Sequence, residues 1–315
     1  MKRWVKKGFI YKPSGKNGFD FSHCHKPTPI VINNKIVRVY FGVRDALGKT
    51  RTTFIDLDIN NLKNILYIHT KPVLDLGKIG TFDDSGANVS SVLKYKDKIY
   101  MYHIGWNPST TVHTRNAIGL SISEDNGWTF KRLYDGSILD RTKDEPYYTG
   151  AVDVKYDNGI WKCWYTSGTE WKIINNRPEI YYHIKYATSP NGIDWQRDNI
   201  DCILPNSEFE ATARPSVLKV NNKYCMWYSK RSLVDFRINP KNSYRAGYAE
   251  SEDGITWVRM DDKISLIPTN KEGDFDSDSI SYPYVIEINN KLVMFYNGND
   301  FGKSGFGYAV LECGK

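Results

Sequence analysis

Long apolar runs are missing from this chain of 315 residues. No stretch approaches the roughly 18 consecutive apolar residues that a membrane-spanning helix needs, so no membrane span is predicted. Helical periodicity is missing too: no segment carries the spacing of an amphipathic helix. Cysteine is scarce, with five residues (Cys24, Cys163, Cys202, Cys225 and Cys313) scattered along the chain. Their odd number and wide spacing argue against a disulfide framework or a zinc site and favour a reduced, cytoplasmic compartment. Cys163 and Cys225 lie inside apolar runs and are expected to be small core residues. The basic start, "MKRWVKKGFIYKPSGKNG", has no apolar core and does not read as a secretory leader. No His/Asp cluster of metal-ligand spacing occurs, so neither a metal nor a cofactor is predicted.

What is present is charge, aromatic mass and repetition. Lysine and arginine exceed the acids by 43 to 36, a net +7 that favours an anionic partner. Phosphate, a sugar phosphate, a nucleotide-sugar or an acidic glycan would suit. The cations are spread along the chain rather than massed, which argues against nucleic acid. Aromatics make up 14% of the residues, enough with the aliphatics to bury a large core.

Five segments align as apolar strand, tight polar turn and aromatic-rich strand, the pattern of a β-hairpin. They are "PTPIVINNKIVRVYFGVRD" (27–45), "NVSSVLKYKDKIYMYHIGWN" (88–107), "GAVDVKYDNGIWKCWYTSG" (150–168), "RPSVLKVNNKYCMWYSKRS" (214–232) and "YPYVIEINNKLVMFYNGND" (282–300). A third strand follows each hairpin, and the period of about 62 residues suits a four-stranded blade. The last unit ends after its third strand, but "KRWVKKG" (2–8) resembles the fourth-strand segment "ITWVRMD" (255–261). The predicted fold is therefore all-β: a five-bladed β-propeller of four-stranded antiparallel blades, one domain over 1–315, its last blade closed by the N-terminal strand.

"SEDNGWTF" (123–130), "SPNGIDW" (189–195) and "SEDGITW" (251–257) fall between third and fourth strands. Their Ser, Asp or Asn, and Gly are turn formers. The first of them also fits the Asp-box pattern of sialidases and other propellers, which implies a structural turn. Topology puts these turns on the face opposite the pocket, which removes Asp125, Asn191 and Asp253 as catalysts.

The pocket face gathers the starts of the inner strands, the ends of the second strands and four lead-in loops. The loops repeat a Phe and an acid: Phe19-Asp20, Phe82-Asp83, Phe209-Glu210 and Phe275-Asp276. A recurring pair is expected to be architecture, the ring plugging between blades and the acid capping backbone N–H groups. Asp84 and Asp278 are less explained by the repeat. His25, Lys26, Arg44, Arg115, Arg214, Lys230 and Arg231 supply cations on this face. Arg44, Arg115 and Arg214 could grip a phosphate or carboxylate, or pair with Asp45, Asp84 or Glu210 instead. Trp106, Trp171 and Tyr282 offer flat faces for sugar stacking.

The five units, the "x-P-x-V" inner strands and the "MWYS"-type second strands resemble the five-bladed glycoside hydrolases of families 32, 43, 62, 68 and 130. The resemblance implies a saccharide in the central funnel and, in most of these families, paired catalytic carboxylates. The chain departs from families 32 and 43 where they carry Asp-Pro and Glu-Pro: here stand "HKPTP" and "TARPS". The family-130 phosphorylases, with one acid and a phosphate nucleophile held by cations, suit a basic funnel better.

The leading expectation is an enzyme that cleaves or transfers a glycosyl group of a phosphorylated or acidic sugar. Asp84 and Glu210 are its candidate catalytic carboxylates. His25, Arg44, Asp45, Asn88, Trp106, Arg115, Trp171, Arg214, Asp278 and Tyr282 are its candidate substrate contacts. The alternatives are a non-catalytic propeller that binds a glycan or nucleotide-sugar, a sialidase-like hydrolase, and a protein-interaction scaffold.

Overall fold

Two-residue turns organise the chain. Asn158-Gly159, Asn175-Asn176, Asn221-Asn222 and Asn289-Asn290 each adopt positive φ at both positions. That conformation matches the twist of antiparallel strands, and Asn and Gly tolerate it best. Each pair joins strands paired directly across it: Asp157 with Ile160, Ile174 with Arg177, Val220 with Lys223, Ile288 with Lys291.

The computed structural model describes residues 2–313. After β1 (Lys2–Tyr11), the strands fall into groups in chain order. The first holds β2 (Ser22–Val31), β3 (Ile36–Arg44), β4 (Thr50–Asp58) and β5 (Asn61–Ile68). The second holds β6 (Gly86–Tyr95), β7 (Lys98–Asn107), β8 (Arg115–Ser123) and β9 (Lys131–Arg132). One parallel bridge, Thr50 with Gly86, merges these two into an eight-stranded sheet. β10 (Tyr148–Asp157), β11 (Ile160–Ile174), β12 (Arg177–Ser189) and β13 (Gln196–Ile203) form a four-stranded antiparallel sheet. So do β14 (Glu210–Val220), β15 (Lys223–Ser232), β16 (Arg245–Ser251) and β17 (Val258–Arg259). The last group, β18 (Ser281–Ile288), β19 (Lys291–Asn297) and β20 (Phe306–Cys313), takes β1 as its fourth, antiparallel strand. The resemblance of "KRWVKKG" to a fourth strand is thus realised as pairing.

The core lies between neighbouring groups. Tyr40, Phe54, Ala87 and Met101 pack the first against the second, and Tyr102, Ile118, Val152 and Trp161 the second against the third. Trp164, Ile184, Val217 and Met226 join the third to the fourth, and Trp227, Val285 and Met294 the fourth to the fifth. Phe41, Ile55, Phe295 and Phe306 then join the fifth back to the first. Each such aliphatic or Phe side chain contributes about 1.5–3 kcal/mol of burial. Cys163 and Cys225 are buried in two of these clusters, as small core residues.

The third-to-fourth-strand turns are closed by their own side chains. Asp125 accepts from the N–H groups of Trp128 and Thr129 and from the Ser123 hydroxyl at 2.7–3.0 Å. Asp253 does the same for Ile255, Thr256 and Ser251. Two of the Phe-acid loops are plugs: the Phe82 ring lies where a Cβ on Gly105 or Gly119 would have to go, and the Phe275 ring does the same at Gly298 and Gly307, whereas Phe209 is exposed. Among the described residues no helix is long and apolar enough to cross a membrane.

Candidate functional site

Three inner strands share one irregularity. β2, β14 and β18 each contain a proline preceded by a residue in the left-handed region: Lys26 (φ 54°), Arg214 (φ 56°) and Tyr282 (φ 54°). Proline disfavours right-handed α geometry in its predecessor, and left-handed geometry costs a non-glycine about 1–3 kcal/mol. The ladders break register at the same places, between His25 and Thr28, Ala213 and Ser216, and Ser281 and Tyr284. The neighbouring group holds each bulge. The Lys26 N–H donates to Asn297 Oδ1 (2.7 Å), the Arg214 N–H to Thr166 Oγ1 (3.2 Å) and the Tyr282 N–H to Ser229 Oγ (2.8 Å).

The bulges release these side chains from the pleat, and they converge. Arg214 donates to the Ser90 carbonyl at 2.6 Å and to Thr28 Oγ1 at 2.8 Å, reaching across to β6 and β2. Its guanidinium lies over Tyr284, and Lys26 Nζ lies over Tyr282, each 4.8 Å from the ring centre. Arg44, at the end of β3, completes the positive cluster.

This cluster is short of partners. Among the described residues no carboxylate lies within ion-pairing distance of Lys26, Arg44 or Arg214. Arg44 Nε, Arg214 Nε, both ring nitrogens of His25, Asn88 Oδ1 and Thr149 Oγ1 are buried without a hydrogen-bond partner. Buried polar atoms are usually paired, so unpaired ones on β2, β3, β6, β10 and β14 make this region a candidate site. Burial, then Arg214 and Arg44, push the Lys26 ammonium down to about 7. Burial pushes Arg214 down to about 10, while Tyr284, Asp153 and Tyr282 act in the opposite direction. Burial and the cations Arg44 and Lys26, against the Phe301 backbone, hold His25 well below its ordinary value, so it is neutral at pH 7.

A wall of phenols borders the cations. The Tyr182 and Tyr244 hydroxyls meet at 3.3 Å, Arg231 Nε donates to Tyr182 at 2.8 Å, and Asn116 Nδ2 donates to the Tyr148 hydroxyl at 3.0 Å. The Tyr244 and Tyr282 rings are 5.3 Å apart. Burial raises all four phenols, so they are neutral hydrogen-bonding groups. Below them Asp153 is the buried carboxylate that acts on Arg214, and it is saturated. It accepts from the Val217 N–H (2.6 Å), the Tyr284 hydroxyl (2.9 Å), Ser91 Oγ (3.0 Å) and Lys155 (3.2 Å).

Of the residues expected from sequence, His25, Arg44, Asn88, Arg214 and Tyr282 fall in this region. The others are engaged elsewhere. Asp84 accepts from the Gly80 N–H (3.0 Å) and the Ser85 hydroxyl (2.9 Å). Glu210 receives both arms of Arg259, at 2.7 and 3.1 Å, whereas its sequence neighbour Arg214 faces Ser90 and Thr28. Asp45 clamps the N–H groups of Leu47 and Lys49 and the Arg51 side chain. Arg115 is exposed beside Ser109, and Asp278 is exposed beside Ser277. Trp106 packs over Gly86, and Trp171 stands edge-on to His113. Tyr148, Tyr182 and Tyr244 escaped sequence reasoning, although Tyr148 does open an inner strand. Lys26 was seen as one cation among many; the signal that sets it apart is the proline it shares with Arg214 and Tyr282. Among the described residues no group of His, Cys, Asp and Glu could hold a metal.

No family model matches the chain. A protein of Mycobacterium tuberculosis (strain H37Rv), "Uncharacterized protein Rv1502", is 33% identical over 312 residues, covering 98% of this chain and 99% of that protein. The chain belongs to its family. The same identity and coverage hold for the strain CDC 1551 counterpart of this family, "Uncharacterized protein MT1551". Similar solved structures give the fold. They include the BT0996 protein in an RGII complex, at 17% identity and TM-score 0.72 over 98% of this sequence and 92% of that protein. A thermostable family-43 glycoside hydrolase matches at 18% and 0.65 over 92% and 88%. Sucrose-6-phosphate hydrolase from Lactobacillus gasseri matches at 10% and 0.62 over 95% and 61%. The family thus has the propeller-type fold of family-43-like and family-32-like glycoside hydrolases.

Proposed function

We propose that the chain is a single five-bladed propeller whose central funnel takes a saccharide carrying negative charge and cleaves or transfers its glycosyl group. The cyclic order of the interfaces, fifth group against first, supports the blade count. One observation carries the ligand class: Lys26, Arg44 and Arg214 gather without a carboxylate, beside unpaired buried polar atoms. Holding three cations together is costly unless an anion joins them. Arg44 and Arg214 would bind its oxygens, while Tyr282 and Asn88 would meet sugar hydroxyls. Two structural neighbours act on carbohydrate by their names, one of them on a sugar phosphate, which agrees with this reading.

The carboxylate pair of an ordinary glycosidase has no counterpart in the cluster. Asp84 is the carboxylate to test first and Glu210, neutralised by Arg259, the second. That same engagement favours one other reading, a propeller that binds the anionic sugar without turning it over. Calorimetric titration with inorganic phosphate, hexose phosphates, nucleotide-sugars, uronates and neutral sugars tests the ligand class. Phosphorylated or acidic ligands should bind and Arg44→Ala should weaken them at least tenfold; equal binding of neutral sugars, indifferent to Arg44→Ala, rejects it. Product formation from a bound ligand, lost in Asp84→Asn, separates the enzyme with Asp84 at work from the binder.

A further inference from the structure

We propose that Lys26 is the proton-transfer residue of the funnel: its ammonium protonates the leaving oxygen when phosphate displaces it from the anomeric carbon. The inference deepens the reading of the funnel as an anionic-sugar site and rests on it.

The argument begins with position. Lys26 occupies the pre-proline bulge of β2, built as are those of Arg214 and Tyr282, and it is fixed from both sides. Its N–H is bound by Asn297, and its carbonyl accepts from the Thr28 hydroxyl at 2.9 Å. Lys26 is partly exposed, whereas its neighbours His25, Arg214 and Tyr282 are buried. Its ammonium rests over the Tyr282 ring with no acid to pair it. The charged or titratable groups facing it are His25 on its own strand, Arg44 on β3, Arg214 on β14 and Tyr282 on β18. Each is neutral or positive at pH 7, so no carboxylate holds the proton on Lys26 and only the face of the Tyr282 ring favours the ammonium.

Alternative proton donors are poorer. His25 is neutral, the phenols are held protonated far above neutrality, and both arginines are too basic to give up a proton. Lys26, pushed down to about 7, has the acidity that proton transfer at neutral pH requires. An arriving phosphate dianion favours the ammonium, so binding loads the proton that the reaction then uses.

The absence of a carboxylate pair also fits. A phosphate dianion is already a nucleophile and needs no general base. Its oxygen forms the new bond to the anomeric carbon while the glycosidic C–O bond breaks. The departing oxygen takes the Lys26 proton and leaves as an alcohol. The glycosyl phosphate then releases its remaining acidic proton through solvent, which restores the ammonium.

The test is an NMR titration of the intact protein carrying isotope-labelled lysine Cε, with the Lys26 signal identified by its loss in Lys26→Arg. Without ligand the signal should titrate near pH 7, against an ordinary 10.5, and inorganic phosphate should raise the midpoint. A midpoint in the ordinary lysine range without ligand overturns the proton-transfer role. A midpoint near 7 that phosphate and hexose phosphates leave unmoved overturns the anionic-sugar reading instead. Should a sugar phosphate turn over, Lys26→Arg should keep KM within a few-fold and lower kcat at least a hundredfold, with loss of the pH limb near 7; an unchanged kcat overturns the role.

Discussion

Lys26 Nζ stands 4.8 Å from the centre of the Tyr282 ring, and both residues lie in the left-handed region immediately before a proline. The two bulges belong to β2 and β18, at opposite ends of the chain, so this pairing exists only because the fifth group of strands packs back on the first. Lys26, Arg44 and Arg214 repel one another here with no carboxylate between them.

That repulsion has a sign in stability. Folding holds the Lys26 ammonium below its ordinary value of 10.5, so the unfolded chain binds the proton more tightly. The resulting penalty is complete below pH 7 and fades as pH rises toward 10.5. Lys26→Met should therefore raise the Tm of the ligand-free protein at pH 6, with the gain shrinking by pH 9. Calorimetry at several pH values checks it, and a gain that grows with pH contradicts it.

Anion binding should run the other way. The ammonium contributes to phosphate affinity below pH 7 and is lost above it. Titrations above about pH 7.5, where phosphate is already a dianion, should show affinity falling as pH rises toward 9. In Lys26→Met this dependence should vanish.

Asp153 supports the floor of the site through Val217, Tyr284, Ser91 and Lys155. Asp153→Ala strands a buried N–H and the Lys155 ammonium. Removing one partner of a buried charge pair costs about 3–5 kcal/mol, and chemical denaturation should record a loss of that order. A loss under 1 kcal/mol would show that the floor does not depend on this carboxylate.

Gly86 leaves room for the Trp106 indole: a Cβ there would lie 1.7 Å from Nε1. Gly86→Ala should displace the ring, cost about 1–3 kcal/mol as overpacking does, and shift tryptophan fluorescence. An unshifted spectrum would contradict the packing.

β1 covers the edge of β20 along nearly its whole length. A chain lacking residues 2–11 should expose that edge and aggregate, seen by light scattering, whereas a monodisperse product of native Tm would show β1 to be dispensable.

Much of this architecture was legible in the sequence because its signals are local. Alternation along ten residues reports a strand, and Asn-Asn or Asn-Gly reports a positive-φ turn. The site was legible only in part. Arg44, Arg214, His25, Asn88 and Tyr282 were placed by topology, since inner-strand starts and second-strand ends share one face. For Glu210 and Asp84 both a catalytic role and pairing with Arg44, Arg115 or Arg214 stayed open, because sequence does not show which group answers which acid. Glu210 meets Arg259, 49 residues away, rather than Arg214, four positions along. Tyr182 and Tyr244, 62 residues apart, touch because they occupy equivalent places in adjacent repeats.

By itself the sequence determined the hairpins, their turns and the completion of the last sheet by the first strand, because hydrogen-bond periodicity and turn chemistry act over a few residues. Tertiary structure alone decided which charges would meet. The orientation of Lys26, Arg214 and Tyr282 depends on strained pre-proline bulges, each pinned by a side chain from a neighbouring group of strands. No local pattern encodes a partner as distant as Asn297 is from Lys26.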